Sequence, residues 1–190
     1  KGSGAPGVYL LTEGGSNGYF RGNINTSGKY KFVNFSAGYS RLYTDGISVI
    51  NESDNDEKDS YENNSASANL GFVLGSKTNL NFSYRFMNSE NELDQSNKFG
   101  DDPNYLFKNE EHLFRGELNT DLFNRFWEIK LSSSLLRKIS NGLDEKDERN
   151  LYTSSRTHND ASRLKFEFQN NFYLSDKNIL ALGFQRETEQ

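Results

Sequence analysis

The chain has 190 residues, no cysteine and a formal net charge of −5 at neutral pH. Without a thiol there is no disulfide framework, thiol nucleophile or cysteine metal site, and acidic residues gathered in a few segments argue against a nucleic-acid footprint. Only 33% of residues are hydrophobic, yet aromatics reach 14%, with 15 Phe and 10 Tyr; this excludes a disordered polar chain and suits a sheet that is apolar on one side.

Strands are predicted at about 7–14, 17–26, 29–43, 64–75, 78–89, 107–122, 125–139, 160–174 and 178–188. Successive side chains of a strand point to opposite faces, and the sequence alternates accordingly. Val33, Phe35, Ala37 and Tyr39 begin the pattern. In the next two segments Ala66, Ala68, Leu70 and Phe72, then Leu80, Phe82, Tyr84 and Phe86, alternate with Ser, Asn, Gly and Arg. Phe114/Leu118/Leu122, Trp127/Ile129/Leu131, Leu164/Phe166/Phe168/Phe172 and Leu180/Leu182/Phe184 continue it. No stretch has the spacing of three and four that marks an amphipathic helix, and Pro6 and Pro103 both fall outside the strands, as ladder hydrogen bonding requires. The chain is therefore expected to be all-β. No run of 18 apolar residues is present, which excludes a membrane-spanning helix but not a membrane β-barrel, whose strands alternate.

The opposite face carries Arg21, Asn23, Arg85, Arg115, Glu117, Glu128, Lys130, Lys165, Glu167 and Gln169. Such groups are not buried unpaired in a dry core, so that face is wet. Folding 107–139 about Phe123–Asn124 sets Glu117 opposite Lys130, and pairing the last two strands sets Lys165 opposite Glu187.

The connections sharpen the reading. Short turns are expected at "TSGK" (26–29), "GSKT" (75–78), "LFNR" (122–125) and "LSDKN" (174–178). Long polar loops are expected at 44–64, 90–104 and 141–160, with a tight "GGSN" turn in the first hairpin. In an antiparallel meander all four short turns lie at one end and the long loops at the other, as in outer-membrane barrels. Alternation over about ten positions also matches the roughly 9–11 residues needed to cross a bilayer at a tilt. Aromatics near segment ends, such as Tyr30, Phe32, Phe126, Trp127, Phe172 and Tyr173, stand where an interfacial girdle would. The apolar side is thus expected to meet lipid. The alternative is a water-soluble all-β binding module, an adhesin or carbohydrate-binding sandwich, which would need a second sheet over its apolar face. A small complete outer-membrane barrel fits less well with an odd strand count.

"GVYLLTEGGSNGYFRGNINTSG" (7–28) resembles the first barrel hairpin of TonB-dependent outer-membrane receptors, with Gly15 and Ser16 matching the family's external turn. "GYSRLYTDGIS" (38–48) and "EKDSYENNSASANLGF" (57–72) resemble the third and fourth strands of its cobalamin and siderophore receptors. The resemblance implies an antiparallel up-and-down meander of about nine strands forming part of a transmembrane β-barrel, residues 1–190 being one partial barrel domain in the bacterial outer membrane. It implies uptake of a scarce nutrient chelate, cobalamin or a siderophore, with ligand contacts in the long external loops. Outer-membrane lipid would surround the wall, and TonB would act through a plug domain. No signal peptide, TonB box or plug appears in the sequence, and barrels of this kind have about 22 strands, so part of a larger barrel is expected.

The loop 51–63 holds Asp54, Asp56, Glu57 and Asp59. Clustered carboxylates can supply the oxygen ligands of Ca²⁺, and the resemblance implies calcium at Asp54 and Asp56, with Asp59 beside them. The spacing does not match an EF-hand, and a solvated acidic loop is the plainer reading. His112 and His158 have no convergent partners in the sequence, and no catalytic set can be assembled, so an enzyme is not expected.

Overall fold

The computed structural model describes residues 4–47, 58–94, 104–147, 151 and 154–190. Nine strands form one antiparallel sheet in sequence order: β1 Gly7–Gly14, β2 Phe20–Tyr30, β3 Val33–Thr44, β4 Tyr61–Leu74, β5 Thr78–Glu92, β6 Leu106–Leu122, β7 Trp127–Asp144, β8 Ser155–Ser175 and β9 Asn178–Glu189. No helix occurs among the described residues.

Register turns the alternation into two chemically opposite surfaces. Tyr30, Val33, Phe72, Leu80, Leu118, Leu131, Phe168 and Phe184 stand in one cross-strand row from β2 to β9. One residue along, Lys29, Asn34, Gly71, Asn81, Glu117, Ser132, Glu167 and Gln185 form the neighbouring row on the other face. The polar residues singled out in the sequence all lie on this second face. Among the described residues no hydrophobic side chain is buried, whereas Ser89, Ser140, Asp144 and Asn171 are. Phe82 is 49% and Phe184 60% exposed. The second layer that a soluble sandwich requires does not occur among the described residues.

The apolar surface is a belt of limited height. On β7 it runs from Trp127 to Leu135 and on β8 from Leu164 to Phe172, the same pairs bounding both strands. Nine residues at about 3.3 Å each, tilted by about 40°, rise roughly 23 Å, close to the apolar band of a membrane barrel. β6, β7 and β8, with 17, 18 and 21 residues, continue well past the belt. There the same face carries ion pairs: Arg41–Glu62 at 3.2 Å, Lys108–Glu90 at 2.8 Å and Arg137–Asp160 at 2.7 Å.

Three expectations need correction. "TSGK" is not a turn: Thr26–Lys29 lies inside β2, and the chain reverses at Lys31–Phe32, with Lys31 in a left-handed conformation. Gly28 answers to a different need, because Pro6 crosses directly over it and the Lys29 amide donates to the Gly4 carbonyl at 2.9 Å. The β6–β7 reversal is a four-residue turn, 123–126, in which Phe123, Asn124 and Arg125 all have positive φ. The register shifts by two, so Glu117 faces Ser132 and Lys130 faces Asn119. Finally, the long connections are shorter than expected, because β4, β5, β7 and β8 extend into them. Lys165 does face Glu187, but its ion pair is with Glu167 at 2.8 Å, and Glu187 takes Arg163 at 3.4 Å.

Candidate functional site: the polar face and the loop rim

The polar face is a lattice of short charged and amide contacts that alternation brings to one side. Arg115 pairs with Glu117 at 2.6 Å, and Glu167 accepts from Ser132 at 3.1 Å besides its pair with Lys165. Arg115, Glu117, Ser132 and Glu167, together with Lys130 and Gln169, line a cavity of about 220 Å³. Nearer the short turns, Asn171 donates to Glu128 at 2.6 Å and accepts from Gln169 at 2.8 Å. Glu128 also pairs with Lys130 at 3.4 Å. A wider concavity of about 730 Å³, lined by Asp121, Asn124, Arg125, Glu128, Tyr173 and Asp176, opens at that end. Such a surface offers hydrogen bonds of both polarities to water or to a polar body; half-exposed pairs of this kind contribute little stability.

At the opposite end the loop bases are tied sideways. The Asp45 amide and the Thr44 hydroxyl both donate to the Asn17 carbonyl, at 2.8 and 3.1 Å. The Asp45 carboxylate accepts from Tyr43 Oη at 2.9 Å and pairs with Lys58 at 3.4 Å; this contact raises the Tyr43 phenol above its ordinary pKa. The Glu92 amide donates to the Ser60 carbonyl at 3.0 Å, and the Ser60 amide to the Glu92 carboxylate at 2.8 Å. Leu93 donates to the Tyr105 carbonyl at 2.9 Å, and Glu145 to the Asn104 side chain at 3.0 Å. The first hairpin and all three longer loops thus share one hydrogen-bonded rim. None of these roles was read from the sequence; the usable signal was Gly18 and Gly46, both left-handed and both pressed against this junction.

The calcium ligands expected from the sequence fall mostly beyond the described residues. Asp54 and Asp56 lie outside the described residues, and Asp59 meets Gly46 through its backbone carbonyl. Among the described residues no group of three or more His, Asp or Glu could hold a metal ion. His112 is linked to Tyr84 Oη at 2.9 Å and to Glu110 at 2.9 Å, and His158 to Asn141 at 2.6 Å.

Known structures share this arrangement. The siderophore receptor PiuA from Acinetobacter baumannii matches with a TM-score of 0.71 at 9% identity, over 99% of this chain and 31% of that one. The siderophore receptor PirA from the same organism matches at 0.68 and 12% identity, over 100% of this chain and 31% of its own. The chain has their fold. It is a nine-strand segment of barrel wall, spanning about a third of the length of either receptor. No family model and no curated protein matches the sequence.

Proposed function

We propose that these nine strands are wall from a TonB-dependent outer-membrane transporter that binds a scarce nutrient chelate. The observation that carries this reading is the pair of adjacent rows from β2 to β9, one wholly apolar with none of its side chains buried, the next wholly polar or glycine. A sheet of this kind needs hydrocarbon on one side and water on the other. The apolar belt has the height of a bilayer core, and aromatic residues lie at its edges: Trp127, Phe126 and Phe172 by the turns, and Tyr39 and Tyr84 with hydroxyls bonded to Asn64 and His112 at the top. Water-filled space, a plug or both would occupy the polar side, and TonB would act through the plug.

Likeness to two siderophore receptors favours a siderophore as the chelate, and neither favours cobalamin. It also supports binding and transport over catalysis. The hydrogen-bonded rim would hold the ends of loops 44–64, 90–104 and 141–160, where ligand contacts are expected. A strain lacking the full-length gene should lose growth on one siderophore-bound iron source under iron limitation and regain it on complementation. Binding of that ferric siderophore to the purified protein, with and without EDTA, would also test the calcium expected at Asp54, Asp56 and Asp59. Normal growth on every ferric chelate tried, with a protein soluble without detergent, would remove the proposal.

A further inference from the structure

The apolar belt is not smooth. Gly116 and Ser133 face each other across β6 and β7, and Gly116 faces Phe82 on β5. These small residues open a groove of about 370 Å³ walled by Ala68, Leu70, Phe82, Phe114 and Leu135. Nothing in the backbone demands glycine at 116. Its φ is not in the left-handed region, and an added Cβ would lie 3.6 Å from the Phe82 ring, an ordinary contact. The space is thus a feature of side-chain choice.

Directly above the groove the same face turns polar. His112 lies two residues before Phe114, Arg137 two residues after Leu135, and the register sets His112 opposite Arg137. Arg137 donates through Nε at 3.2 Å and Nη2 at 2.7 Å to Asp160. A guanidinium has five N–H donors, so part of the fork stays available, and the side chain is about half exposed.

Given an apolar face that meets hydrocarbon, as proposed above, we infer that this groove holds one acyl chain of a phosphate-bearing outer-leaflet lipid, with the phosphate on the Arg137 fork. Surrounding chains are as apolar as the groove, so the chain gains only packing contacts there. The charge-assisted bonds to phosphate set which molecule stays. Glu110 and Asp160 flank the fork and weaken it for a bare anion, so the occupant must bring its hydrocarbon with it.

The test counts lipid retained by the full-length protein, purified from outer membranes in mild detergent, washed and examined by native mass spectrometry. The parent should retain one lipid per protein. Gly116→Leu fills the groove with an apolar side chain and should lower retention at least fivefold while the protein still needs detergent. Arg137→Gln should lower it severalfold, and Phe184→Leu, in the belt but away from the groove, should leave it unchanged. Ala68→Leu blocks the groove from its other wall and serves if Gly116→Leu does not assemble. Parental retention in an assembled groove variant, or an equal drop in Phe184→Leu, overturns the site. So does a dimer of the parent that Gly116→Leu abolishes, because the groove would then join two copies. A parent that stays dispersed without detergent would instead overturn the lipid-facing reading itself.

Discussion

Trp127 and Phe172 face each other across β7 and β8, ring centroids 5.6 Å apart and planes 20° apart, and the Trp127 indole donates to Asn170 at 2.9 Å. Asn170 is a polar side chain within the belt, and this bond gives it a partner on the face proposed to meet lipid. Trp127→Phe keeps the stack and removes only the donor. It should destabilise the vesicle-reconstituted protein by about 1–3 kcal/mol, the range for a polar group left unpaired. Asn170→Leu alone should be neutral or better, and combining the two should recover most of the loss. Strictly additive effects in denaturant titrations would show that the bond does not matter.

Alternation made the two faces legible, and parity explains why they survived errors in the turns. The β6–β7 turn was read two residues too tight. A shift of two leaves every side chain on its own face, so Glu117 and Lys130 are correctly on the polar side yet are not partners. What hid the turn is that Phe123 and Arg125 adopt positive φ, a conformation their side chains do not advertise. At Gly28 the error was of another kind. Glycine near Ser and Lys resembles a turn, while here it admits Pro6, a contact between distant residues that local pattern cannot reveal. The rim was invisible because its bonds, most of them with a backbone group on at least one side, tie together loops that local pattern does not connect.

Phe82 and Ser83 are neighbours on opposite faces, and Phe82 meets Phe72 edge-on at 6.4 Å in the belt. Phe82→Arg puts a charge on the face proposed to meet lipid and should cost about 2–4 kcal/mol near the midplane, enough to block assembly. Ser83→Arg adds the same charge to the polar side, beside Arg115 in the register, and should assemble. Heat-modifiable migration of the full-length protein reads both. Equal tolerance would mean that neither face touches lipid.

Arg137 and Asp160 lie beyond the belt, and the hydrogen bonds from Arg137 hold the Asp160 carboxyl below its ordinary pKa. A carboxylate with a lowered folded-state pKa adds stability that is complete above its unfolded value, about 3.9, and is lost as pH falls through the lowered one. The pair should therefore persist at pH 5 and open only in stronger acid. Because it is exposed, its effect should be small and should shrink in high salt. Asp160→Asn should match the parent's denaturation midpoint in strong acid and fall slightly below it near neutrality. A gap between the two that widens as pH drops would reverse the assignment.

Gly18 and Asp45 form the tightest point of the rim. Gly18 has φ of 64°, and a side chain there would collide with the Asp45 carboxylate. Gly18→Ala combines left-handed strain with that collision. The Asp45 carboxylate must then move, releasing its contacts with Tyr43 and Lys58. If this loosens the junction by about 1.4 kcal/mol, local hydrogen exchange quickens about tenfold by the usual conversion of free energy to equilibrium constant. The change should be confined to peptides covering 14–20 and 42–47 and absent from the belt strands. Asp45→Ala in the same background removes the obstacle but not the strain, so it should restore only part of the protection. Unchanged exchange in Gly18→Ala would mean that the first hairpin and the β3–β4 loop are held together by something other than this contact.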